Sequence, residues 1–144
     1  MMRLETVAKD LVTKLRTASP TQQRAASLIA CQLALQAAPV EGGIVSETLE
    51  QLRRQGVLSQ RRIAELNDLA VQLDRKYFDL QDNAEDDPAM QSEALRFFGQ
   101  ARAVSALSFA GGEDALTAAA EAIYEALATV DEGSQIWDAV LLAL

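Results

Sequence analysis

The sequence predicts an all-α bundle of six or seven helices around a hydrophobic central helix at about residues 88–110, in one domain spanning 1–144. Three observations point there. Hydrophobic residues make up 49% of the chain but aromatics only 5%, so alanine and leucine dominate, and there are only three prolines; that composition favours helices. Apolar residues recur by threes and fours over long stretches, and no alternating run is long enough to demand a strand. Several stretches open on a capping residue and close on glycine. A chain of 144 residues buries roughly 70% of its unfolded surface, enough for a core without disulfides or metals.

The first helix is expected from about Arg3 to Thr17, with Leu4, Val7, Leu11 and Leu15 on one face. Ser19, Pro20 and Gln22 form a capping box with proline at the first helical position, and start a second helix that runs to about Ala37. Pro39 and Gly42-Gly43 end it. Ser46 is the expected cap of a short third helix that closes at Gly56. Ser59 caps the next, along which Ile63, Leu66, Ala70, Leu73, Tyr77 and Leu80 form an apolar seam that stops in an acidic connector.

Asp87-Pro88 is a second cap-plus-proline start. From there to Ala110 the chain is apolar nearly all round, through Leu95, Phe97, Phe98, Val104, Leu107 and Phe109, with Arg96 and Gln100 as its expected wet strip. A helix of that kind is surrounded by others. Gly111-Gly112 breaks it. The following helix carries an apolar stripe (Leu116, Ala120, Ile123, Leu127, Val130) and a polar one (Asp114, Thr117, Glu121, Glu125). Ser134 is the expected cap of a short terminal helix holding Trp137, read as core, and the tail "AVLLAL", read as docked on the bundle or as a dimer contact.

The net charge of −8 is uneven. Residues 1–76 carry 11 Lys/Arg against 8 Asp/Glu, a net of +3; residues 77–144 carry 2 against 13, a net of −11. Phosphates would be repelled from the second half, so nucleic acid is not an expected ligand. A basic protein partner suits it. The opening "MMRLETVAKD" mixes charges with apolar residues, so no secretory leader and a cytoplasmic location are expected. The longest uncharged run, Ala25 to Val40, has 16 residues including a proline, too short to span a bilayer.

Histidine is absent and Cys31 is the single cysteine. Nucleophile–histidine pairs, the usual zinc sets and Glu-x-x-His di-iron sites therefore cannot form within the chain. No phosphate-binding glycine loop is present. The expectation is a non-enzyme without cofactor or metal. Arg53, Arg54, Arg61 and Arg62 flank the Gly56 turn with Glu47, Glu50 and Glu65 nearby, a mixed charged surface.

Five carboxylates, Asp79, Asp82, Glu85, Asp86 and Asp87, fall within nine positions with no base among them. They do not match a calcium-binding EF-hand loop: neither register beginning at Asp79 or Asp82 puts glycine sixth. Glu85, Asp86 and Asp87 suit a helix N-terminus. Asp79 and Asp82 stand near the end of the preceding helix, where the dipole disfavours them; Arg75 could offset Asp79 at i,i+4 spacing. Two readings stand: a solvated connector, or a partner-binding surface of Asp79, Asp82, Glu85, Asp86 and Asp87 with Phe78 as an aromatic anchor.

Residues 95–132, "LRFFGQARAVSALSFAGGEDALTAAAEAIYEALATVDE", pair an alanine-rich helix, a Gly/acid break and the helix "AAAEAIYEAL". This stretch resembles a helical hairpin of the small acidic all-α immunity proteins of bacterial polymorphic-toxin and contact-dependent-inhibition systems. The resemblance implies a stoichiometric inhibitor that occludes the active site or substrate channel of a basic toxin or effector, and it carries no contact residues with it. A helical adaptor, secretion chaperone or homo-oligomeric scaffold, and a small-ligand protein with a pocket between helices, are the rival readings.

Overall fold

The computed structural model describes residues 2–144, and among them it holds seven α-helices, one 3-10 turn and no strand. The 3-10 turn is Arg3–Thr6; the helices are α1 Lys9–Thr17, α2 Pro20–Ala37, α3 Gly43–Gln55, α4 Gln60–Ala84, α5 Pro88–Ala110, α6 Ala115–Leu127 and α7 Ser134–Ala143. The all-α bundle expected from sequence is what the chain forms.

Local chemistry starts most of these helices. Ser19 accepts from the Gln22 backbone N–H while the Gln22 side chain accepts from the Ser19 N–H, which satisfies two otherwise orphaned donors. Ser59, Asp87 and Asp114 accept from the first turns of α4, α5 and α6. Arg24 closes the far end of α5, donating to the carbonyls of Ala110 at 3.1 Å and Glu113 at 2.8 Å, where a cation suits the helix dipole.

Three boundaries differ from expectation. The first helix is broken at Val7-Ala8, which puts Ala8 in the core and turns Val7 out to 58% exposure. The cap of α3 is Gly42, not Ser46: at φ 114° it holds a conformation that side chains resist, and the helix begins four residues early. Ser134 is the first residue of α7, whose cap position is Gly133, so no side chain caps that helix.

The helices enclose two hydrophobic clusters. One gathers Leu4, Leu11, Val12 and Leu15 against α2, α6 and α7; the other gathers Leu52, Leu58, Leu66 and Leu73 against α5. Ala26, Ala30, Ala34 and Ala38 repeat every four residues along α2 and are buried, a smooth face that lets helices approach closely. Ile136 and Val140 seat α7 on the first cluster, while Leu142 in the tail is 90% exposed and Trp137 is half-buried. Helix α5 packs against α2, α3, α4 and α6 and is the central helix, but its burial is uneven. Leu95 and Phe109 are exposed, whereas Gln100, expected wet, is buried and donates to the Pro39 carbonyl at 2.8 Å.

Glu125 is the largest departure. Expected on a solvated stripe, it is only 3% exposed. Arg3 donates to its Oε1 and Arg102 to its Oε2, each at 3.1 Å. Arg3 also pairs with Glu121, and Arg102 reaches Asp74 on α4 at 2.8 Å. The Arg3 guanidinium lies over the Tyr124 ring at 4.4 Å. Desolvating an ion pair costs several kcal/mol per charge; here both Glu125 oxygens have donors, while the buried Arg102 Nε has no partner among the described residues.

Two outcomes follow. Glu125→Gln removes the shared carboxylate but leaves Arg3 with Glu121 and Arg102 with Asp74, and should cost about 1–2 kcal/mol, read as a fall in Tm of about 5 °C; a loss under about 0.5 kcal/mol would mean the pairs contribute nothing. Cys31 is fully buried, and burial pushes its thiol from 9.0 up to about 12. The unfolded thiol ionises first, so its contribution to stability is complete below pH 9.0 and is lost as pH rises toward about 12. Chemical unfolding at intervals across that range should show a decline that Cys31→Ala reduces.

Candidate protein-interaction site

Helices α4 and α5 form an antiparallel hairpin that outruns the rest of the bundle. Among the buried members of the clusters, α4 contributes none beyond Leu73 and α5 none before Ala101. The last three turns of α4 and the first turns of α5 therefore hold mainly to each other. Ala84 and Ala94, 3% and 2% exposed, let the two backbones approach, and Tyr77 packs on Phe98 with ring centroids 5.2 Å apart.

The expected acidic connector is mostly helix. Helix α4 continues through Ala84, so Asp79 and Asp82 are its own residues and only Glu85, Asp86 and Asp87 connect. Tyr77 turns toward α5 and continues the seam, which commits α4 to helix up to Ala84. All five carboxylates are exposed, and among the described residues none has a cation within ion-pairing distance. The Arg75–Asp79 pair, possible by spacing, does not form.

Their local roles differ. Asp87 caps α5, accepting from the Ala89 and Met90 N–H groups at 3.0 and 3.4 Å. Glu85 makes the turn with its backbone, at φ 46°, and its carbonyl accepts from the Gln91 side chain at 2.7 Å. The Asp79 carbonyl accepts from Asn83 at 2.6 Å. The side chains of Asp79, Asp82, Glu85 and Asp86 have no such structural task. Phe78 stands beside them, 58% exposed, one turn from Asp82 on the same face of α4.

A notch of about 420 Å³ opens between the two helices at this tip. Tyr77, Ala84, Ala94 and Leu95 supply apolar walls, and the exposed Asp82 and Glu85 supply the charge. An apolar slot with two carboxylates matches the aliphatic stem and cationic head of lysine or arginine. Leu95, 64% exposed, belongs to this site although its place in an apolar run pointed to the core. The flanking Gln91, Ser92, Glu93 and Arg96 were the available signal that this end of α5 is wet.

Several of the basic side chains are engaged elsewhere. Arg53, Arg61 and Arg62 pair with Glu50, Glu65 and Glu47. Lys76 and Arg96 lie over the Phe97 ring at 5.3 and 4.6 Å, with Arg96 also paired to Glu93. Among the described residues no three Cys, Asp or Glu side chains converge as a metal-holding group, and no helix is long and apolar enough to cross a membrane. No protein-family model, curated protein or solved structure matches the chain.

The Glu85 turn gives a direct test of this geometry. A non-glycine residue at positive φ stores about 1–3 kcal/mol, part of which glycine forfeits through its looser unfolded chain. Glu85→Gly should therefore raise stability by about 1 kcal/mol, seen as a higher denaturant midpoint at unchanged slope. A lower midpoint would contradict the turn.

Proposed function

We propose that the chain is a non-catalytic protein-binding module, an immunity- or antitoxin-like stoichiometric inhibitor that meets a basic toxin or effector domain with the tip of the α4–α5 hairpin. The observation that carries this reading is the set of four exposed carboxylates, Asp79, Asp82, Glu85 and Asp86, with no cation and no structural task, around the exposed Phe78.

Asp82 stands in the last turn of α4 and Asp79 about one turn earlier; a carboxylate in the last turn costs about 0.3–1 kcal/mol against the helix dipole. Folding gains nothing from them there. A basic partner does: its cations offset both the dipole and the mutual repulsion of the cluster. Long-range attraction speeds encounter and falls with salt. Phe78 and the Leu95 notch then supply the apolar contact that charge alone lacks. The resemblance over residues 95–132, which are most of α5 and all of α6, adds the class of partner. A projecting hairpin is a shape that enters a cleft, which is how an inhibitor of this kind occludes a substrate channel. The rival reading, a homo-oligomeric scaffold or adaptor, has Leu142 on its side, 90% exposed on α7.

Affinity capture from the native host with mass spectrometry tests the proposal. The expected product is a basic protein held one-to-one and released as salt shortens the screening length below about 10 Å. The combined change Asp79→Asn, Asp82→Asn, Glu85→Gln and Asp86→Asn keeps size and the Asp87 cap while removing charge; it should weaken the complex at least about tenfold, or 1.4 kcal/mol. Capture that survives these changes undiminished, or recovery of this chain alone as a dimer, would overturn it.

A further inference from the structure

A second recess, sharing no residue with the hairpin notch, lies where the broken first helix meets α6 and α7. It has a volume of about 620 Å³, and its walls include Val7, Tyr124, Leu127 and Trp137, with Glu132 and Asp138 as its charged groups. Tyr124, Leu127 and Trp137 pack against the first core cluster and turn their remaining surface to the recess. Val7 is 58% exposed because the chain breaks at Val7-Ala8, and it faces this recess instead of the bundle interior. Trp137, expected in the core, is half-buried here.

The electrostatics select a sign. Both carboxylates are exposed, neither is ion-paired among the described residues, and no lysine or arginine lines the recess. Arg3, which lies over Tyr124, is held by Glu121 and Glu125. Two helix ends also meet here. The C-terminal turn of α6 presents carbonyls and has no basic residue; the N-terminal turn of α7 presents N–H groups and has no acidic residue. Their partial charges are opposite and offset each other. Glu132 and Asp138 therefore set the potential as negative, over an aromatic and aliphatic wall.

We infer that this recess is a binding site for a small hydrophobic organic cation, an amine or quaternary ammonium carried on an aryl or short alkyl body. The apolar body fills the space between Val7, Leu127 and Trp137. The cationic head sits on the side of Glu132 and Asp138 in a recess that the Trp137 ring also lines, a combination that favours ammonium groups over neutral or anionic ligands. An anion meets two carboxylates, and a neutral molecule gains nothing from them.

Trp137 is the only tryptophan in the chain, so its fluorescence reports on this site alone. Titration with benzyltrimethylammonium should give a saturable change in Trp137 emission. Benzyl alcohol, with the same ring and no charge, should bind about tenfold more weakly or worse. The double variant Glu132→Gln and Asp138→Asn replaces exposed groups and preserves the reporter; it should weaken the cation by about tenfold and leave the alcohol unchanged. Three results would overturn the inference: no saturable response to the cation, equal binding of the alcohol, or cation binding indifferent to the double variant. None of these residues belongs to the hairpin tip, so this site stands or falls separately from the proposed inhibitor surface.

Discussion

The carboxylate of Glu125 is the point on which the arrangement of helices turns. Its two oxygens are held by arginines from different parts of the chain: Arg3 ahead of α1 and Arg102 on α5. Arg102 continues to Asp74, so one ionic chain ties the N-terminal turn, α6, α5 and α4 together. The surrounding core is thin and alanine-rich, and the Ala26–Ala30–Ala34–Ala38 face of α2 is smooth. Smooth faces supply hydrophobic burial but slide with little penalty, because few large side chains interlock. A desolvated ion network does not slide: any shift strips a donor from a buried oxygen at a cost of several kcal/mol. Burial supplies the bulk of the stability, and the network adds directional links between elements that alanine faces do not supply.

Those links determine what the hairpin tip can be. Asp74 is the last residue of α4 tied to the network, and Leu73 is the last buried residue that α4 gives to the core. Beyond them α4 runs through Tyr77 to Ala84 and turns back as α5 with little support except its own pairing. A two-helix projection with a narrow interface has little apolar area to spend, yet this one carries the densest run of carboxylates in the chain and an exposed phenylalanine. Capping accounts for Asp87 and turn geometry for the backbone of Glu85. The side chains of Asp79, Asp82, Glu85 and Asp86 serve no such internal end.

Signals that act within a few residues were legible in the sequence. Ser19-Pro20-Gln22 and Asp87-Pro88 start helices where their chemistry says they should, Gly56 ends one, and the seam from Ile63 to Leu80 faces inward. The exposure of Phe78 and of the five carboxylates was also readable, since all lie off that seam. Signals that depend on distant residues were not. Glu125 completes a polar stripe with Asp114, Thr117 and Glu121, and nothing local distinguishes it from them; its partners are 122 and 23 residues away. Gln100 and Leu95 exchanged their expected places for a related reason. In a helix apolar all round, periodicity cannot say which end has neighbours. The Val7 recess was hidden because a helix that breaks reverses which residue of the pair Val7-Ala8 faces in, and the pattern of leucines around them continues undisturbed.

Native-state hydrogen exchange on the wild type and on Glu125→Gln tests the separation of core from tip most directly. Two levels are expected in the wild type: high protection for the α5 amides of residues 100–107, and markedly lower protection for residues 91–95 and 79–84. In the variant, protection of residues 100–107 should fall while that of the tip stays where it was, because the tip already opens on its own. A tip as protected as the core, or one whose protection falls together with it, would show a single cooperative body and contradict a Glu125 network that ends where the hairpin tip begins.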